Sequence, residues 1–207
     1  MTDRATYDRA ETLAEIAPNE TVTAPLLAGA EGQFSTPPLH EPPVTYLEPA
    51  ESPAYVLSNA KRGIGLGSKR NTVSPDRGHE TVVLVTGRRT LCLVGQASTD
   101  RVIEIPHESV ANASYKTGFR AHRMALETPR NIYHCWVTRK TDEDLLAAVT
   151  AFIEERQGET PESLAEEDTV MYRGLPMRQQ ADPESGVPDD EKQTVMYRGL
   201  PVDDGSD

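Results

Sequence analysis

The stretch TVVLVTGRRTLCLV, Thr81–Val94, decides the fold. Two runs of β-branched and aliphatic residues flank a Gly87-Arg88-Arg89 turn, the pattern of a β-hairpin. Working outward, Tyr55–Ser58 (YVLS) reads as an earlier strand. Val102–Ile105 (VIEI), a piece near Ala113–Lys116, Arg123–Thr128 (RMALET) and Asn131–Val137 (NIYHCWV) read as later ones. In RMALET, Met124 and Leu126 alternate with Arg123, Ala125 and Glu127, so one face is wet. Seven short strands with no helix between them predict a mainly β sandwich or small barrel.

After Val137 the apolar period changes from two to 3.6. In TDEDLLAAVTAFIEER, residues Leu145, Leu146, Val149, Phe152 and Ile153 form one helical stripe. Thr141 is the expected N-cap, with Asp144 completing a capping box. Gly158 is the expected stop. An amphipathic helix must cover something, and the open end of the strand assembly is the apolar surface on offer.

Seven strands closed by one C-terminal helix resembles the pleckstrin-homology (PH) superfold, and in particular the prokaryotic YokE-like PH domains. The residues that carry the resemblance are YLEPAESPAYVLS (Tyr46–Ser58), TVVLVTGRRTLCLV, EIPHESVANASYKTGFRAHRMALET (Glu104–Thr128) and the tryptophan strand with its helix. The family's V-T-x-R-R turn, its I-P step and its T-G turn match Val85–Arg89, Ile105-Pro106 and Thr117-Gly118. Gly87 stands where the family usually has an acidic residue. The resemblance covers about residues 46–156 and implies a binding or adaptor module without catalytic machinery.

The domain limits follow from composition. Residues 1–44 hold paired prolines (Pro37-Pro38, Pro42-Pro43) and one helical stretch, Tyr7–Ile16, in which Leu13 and Ile16 share a face with Arg9 opposite. They read as a linker or a loosely packed extension. Residues 45–157 form the expected PH-like domain, and 158–207 an acidic tail of disorder-prone composition. Net charge is −12, divided as −6 over residues 1–50, +3 over 51–156 and −9 over 157–207. A slightly basic core thus lies between acidic flanks that keep the chain soluble or mask the basic surface. In composition these flanks resemble proteins of salt-accumulating halophilic archaea. No run approaches the ~20 apolar residues of a membrane span, and the N-terminus lacks a secretion-signal pattern, so the expected location is cytoplasmic. Cys92 and Cys135 sit in apolar runs and read as buried thiols.

KRGIGLGSKR, Lys61–Arg70, is the first stretch that suggests ligand chemistry. A Walker loop counted from Gly63 would need glycine at Ser68, as would a dinucleotide fingerprint, and no helix follows. Two readings stand. Lys61, Arg62, Lys69 and Arg70 form a loop that grips an anionic lipid or a phosphate ligand, or the stretch is a strand connection kept soluble by its charges. Enzymatic chemistry finds no footing. His134 and Cys135 are adjacent in a strand and point to opposite faces. His107, His122 and Cys92 complete no metal or nucleophile spacing. No catalytic residue, metal, cofactor or nucleic-acid partner is expected.

The tail holds TVMYRGLP twice, at Thr169–Pro176 and Thr194–Pro201, with 17 residues between the copies. In extended form Val170 and Tyr172 face one way, as do Val195 and Tyr197. Such a peptide binds by adding a strand to an exposed sheet edge. Tyr172, Arg173, Tyr197 and Arg198 are the residue types that anchor interfaces. A flexible spacer of that length reaches roughly 20–25 Å, so the two copies suit a dimeric or repeated partner. The sequence therefore predicts a non-enzymatic adaptor that recruits a protein through Val170, Tyr172, Arg173, Val195, Tyr197 and Arg198. The alternative is peripheral binding of an anionic lipid or phosphate ligand through residues 61–70.

Overall fold

The computed structural model describes residues 3–29, 39–59 and 61–158. Two helices, α1 (Arg4–Ile16) and α2 (Ala24–Leu27), precede nine strands. These are β1 (Pro53–Asn59), β2 (Ile64–Leu66), β3 (Thr72–Val73), β4 (Thr81–Thr86), β5 (Arg89–Val94), β6 (Arg101–Pro106), β7 (Asn112–Lys116), β8 (His122–Glu127) and β9 (Ile132–Val137). Helix α3 (Glu143–Glu154) follows. All the pairings are antiparallel, in a four-stranded sheet ordered β1-β4-β5-β6 and a five-stranded sheet ordered β3-β2-β9-β8-β7. The fold is mainly β with a C-terminal helix, the PH-like arrangement that the resemblance implies.

The two sheets face one another across a core that includes Val83, Val85 and Cys92 from one side and Ile64, Met124 and Cys135 from the other. The two thiols meet there, Sγ to Sγ at 3.6 Å. The Cys135 thiol beside it, together with burial, pushes the Cys92 thiol up. Helix α3 closes the core with Leu146, Val149 and Ile153, all fully buried, while Leu145 and Phe152 pack at its margin. Each such burial contributes roughly 1.5–3 kcal/mol. The helix starts one residue later than Thr141 implies. Asp142 is the N-cap and its carboxylate accepts the Asp144 N–H at 3.1 Å, whereas the Thr141 N–H donates to the Thr138 carbonyl.

Two expectations are corrected. The glycine-bearing connection between Ser58 and Thr81 contains β2 and β3, so the described residues hold nine strands rather than seven. Ile64 pairs with both Val73 and Cys135 and is fully buried, which draws this hairpin onto the edge of the five-stranded sheet. The N-terminal segment is not a loose extension. Ala10, Leu13, Val22, Leu27, Leu39 and Val44 form a second core against the outer face of the four-stranded sheet, where Val82, Leu84, Leu91 and Leu93 emerge. Every residue of β4 is consequently buried.

Polar bonds fix this cover in place. The Asp100 carboxylate accepts the backbone N–H groups of His40 and Glu41 and, at 2.6 Å, the Tyr46 hydroxyl. Arg9 donates to the carbonyls of Leu47 and Glu48 at 2.9 Å. In α1, capped by Asp3, Leu13 is buried as its stripe predicts, but Ile16 is 63% exposed.

Candidate functional site

The glycines of KRGIGLGSKR serve backbone packing. A Cβ on Gly63 would stand 1.5 Å from the Val73 carbonyl oxygen, so only glycine lets β2 and β3 approach there. At Gly65 a Cβ would press on Ser68 O, Trp136 Cη2 and His134 Cβ at 3.0–3.1 Å. Gly67 has φ +71°, the left-handed region that glycine enters without strain. The hairpin can therefore lie close to Trp136 and His134, and it brings its basic residues with it.

Strand pairing puts a row of cations on the outward face of the five-stranded sheet. Arg123 is directly opposite Trp136 on one side and Lys116 on the other, so the three side chains share a face. That face is the reverse of the one on which Met124 and Cys135 enter the core. The Arg62 guanidinium lies 5.6 Å from the centroid of the Trp136 ring, a cation–π distance. Two residues along β9 and on the same face, His134 is buried, and burial followed by the charges of Arg123 and Lys69 lowers its pKa, with Glu127 opposing them. Arg123 Nε and His134 Nδ1 are both buried without a hydrogen-bond partner.

Arg88 and Arg89, at the β4–β5 turn of the other sheet, contrast with these. Arg89 pairs with Glu51 at 2.7 Å and Glu104 at 3.0 Å, and Arg88 pairs with Glu48 at 3.1 Å. Burial alone would raise the Glu51 carboxyl, but bonds from Arg89, the Glu48 N–H and the Thr86 hydroxyl outweigh it and hold its pKa below the ordinary value. The two arginines of the V-T-x-R-R turn thus tie β4 and β5 to the segment before β1. Lys61, Arg62, Lys69, Arg70, Lys116 and Arg123 have no ion-pair partner among the described residues. Lys116 opposite Arg123 is a like-charge pair, an arrangement that costs stability unless an anion lies between them.

Of the residues singled out in the loop, Arg62 and Lys69 come to this face. Lys61 and Arg70 are exposed beside it, and the Lys61 and Arg62 N–H groups donate to Asn59 Oδ1. Residues Val170, Tyr172, Arg173, Val195, Tyr197 and Arg198 lie outside the described residues. Sequence reasoning missed Lys116 and Arg123 as members of the site. The signal was the wet face of RMALET, which carries Arg123 but does not name its cross-strand neighbour. The histidines are dispersed: His107 is buried against Thr90, His122 holds the β7–β8 turn, and His134 belongs to the basic face. Among the described residues no three His, Cys, Asp or Glu side chains assemble as a metal group, and no helix is long and apolar enough to cross a membrane.

No protein-family model and no curated protein matches the chain. Among solved structures, the chain is similar to one described as the Vps36 N-terminal PH domain, with 17% identity and a TM-score of 0.39 over 53% of this chain and 83% of that one. It is also similar to a chain of the 8S snRNP assembly intermediate, with 14% identity and a TM-score of 0.32 over 50% and 82% of the two chains.

Proposed function

We propose that this protein is a non-enzymatic binding module that takes a phosphate-bearing ligand on the outward face of the five-stranded sheet. The observation that carries the reading is the opposed Lys116–Arg123 pair beside the Arg62–Trp136 stack, a basic row with no ion-pair partner among the described residues. Arginine and lysine give charge-assisted bonds to phosphate oxygens, and Lys69 and His134 extend the row. Lipid headgroups and soluble phosphate esters share this chemistry. Titration with inorganic pyrophosphate, followed by NMR, separates the soluble case from the membrane case. The expected result is saturable binding that weakens at high salt, with the His134 pKa raised by the bound anion. R62A/R123A should lower the affinity at least tenfold, about 1.4 kcal/mol. Equal affinity in that variant would sink the reading.

The duplicated octapeptide favours a second activity, recruitment of a protein partner. Two letter-for-letter copies in an acidic, proline-containing background support a linear motif, with Val170, Tyr172 and Arg173 and their counterparts Val195, Tyr197 and Arg198 as its anchors. A synthetic TVMYRGLP peptide should capture a saturable partner that the Tyr→Ala peptide does not. Equal capture by both would remove the motif. The order of Val85–Arg89, Ile105-Pro106 and Thr117-Gly118 supports a place among the YokE-like PH domains, and with it a cytoplasmic module.

A further inference from the structure

We infer that the turn between β7 and β8 is a membrane anchor, with Phe119 as the inserting side chain and an anionic lipid bilayer as the surface it meets. Phe119 is 85% exposed, more than any other large apolar residue among those described. A single exposed apolar side chain is common on protein surfaces. The setting of Phe119 is what points to a ligand.

The turn that carries it is held, not loose. The Gly118 N–H donates to His122 Nδ1 at 3.2 Å, which leaves the proton on Nε2 to donate to the Arg139 carbonyl at 3.1 Å. A Cβ on Gly118 would meet the Ala121 carbonyl oxygen at 2.6 Å, so the turn is as tight as glycine allows. His122 thereby binds the 117–121 turn to the segment after β9. The aromatic ring is presented to solvent on a fixed backbone support, which lowers the ordering cost of binding.

One cation lies against the ring, and others neighbour the turn in sequence or strand register. The Arg139 guanidinium lies 5.8 Å from the centroid of the Phe119 ring. Arg120 and Lys140 are exposed next to these two in sequence, and Lys116 and Arg123 stand at the strand ends that the turn joins. The nearby carboxylates in sequence are Asp142, Glu143 and Asp144, at the start of α3, where that of Asp142 is engaged as the cap. An exposed aromatic tip on a turn rich in cations matches a bilayer whose headgroups are anionic and whose acyl boundary begins just beneath them. Each cation near such a surface adds about fivefold to binding.

The inference shares Lys116 and Arg123 with the phosphate-binding reading but turns on Phe119, which that reading does not use, so substitution of Phe119 tells the two apart. The test uses the full chain with vesicles of phosphatidylcholine, alone or with about one-third phosphatidylserine, at about 0.1 M salt. The chain should sediment with the serine-containing vesicles, and F119A should weaken this about tenfold while leaving pyrophosphate binding and the melting temperature unchanged. Trp136, the chain's one tryptophan, is buried, so F119W adds a reporter at the tip. Its emission should shift to the blue and be quenched by brominated acyl chains. Absence of sedimentation, equal sedimentation by F119A, or F119W emission indifferent to these vesicles would each overturn the inference.

Discussion

His107 shows how far a single side chain depends on its surroundings. It is 1% exposed at the end of β6, with Nε2 3.0 Å from the Thr90 hydroxyl. Burial first, then the charge of Arg156, lowers its pKa from 6.5 to about 4, against smaller pulls from the Gly87 backbone and Glu51. Between those two values the unfolded chain binds a proton that the folded chain refuses. The contribution of His107 to stability is therefore complete above about pH 6.5 and is lost as pH falls toward 4, a change of about 3 kcal/mol. Urea unfolding of wild type and H107Q at pH 7 and near pH 4 should show the wild type losing about that much more than the variant. Parallel losses would mean that His107 is not buried as a neutral ring. His134, also lowered, acts in the same direction in both proteins.

At the scale of elements, the legible parts were those with a strong period or a strong run. The β4–β5 hairpin, the β8–β9 pair and α3 were predicted because their apolar spacing matches their geometry. The β2–β3 hairpin was not, since three residues of β2 and two of β3 are too few to show alternation among glycines and charges. What makes Ile64-Gly65-Leu66 a strand is the open edge of β9, which supplies hydrogen bonds that the local sequence cannot announce. The cap of α3 moved by one residue because Asp142 and Thr141 are both good cap types, and tertiary placement of the preceding turn chose between them. In the candidate site, the loop cations Arg62 and Lys69 were visible as charges. Their convergence with Lys116 and Arg123 depends on register, which no single strand contains.

At the scale of the whole molecule, the four-stranded sheet divides two cores. The unbroken apolar run of Thr81–Thr86 is what a strand buried on both faces requires. One set of its side chains, Val83 and Val85, enters the core between the sheets, and the other, Val82 and Leu84, meets the N-terminal cover. Leu27, fully buried in that cover, tests whether it is part of the folded unit. L27A should cost about 2–5 kcal/mol in urea unfolding and keep one cooperative transition. A cost below about 0.5 kcal/mol, the value of an exposed site, would restore the loose extension that composition suggested. The sequence alone determined the hairpin, the change of period into the closing helix and the distribution of charge, because each is a property of neighbouring residues. Only the tertiary structure decided what covers the second face of β4, that Cys92 meets Cys135, and that Arg62, Lys69, Lys116 and Arg123 share one surface. Those outcomes arise from contacts between segments far apart in the chain, where burial and strand register, not local preference, set the free energy.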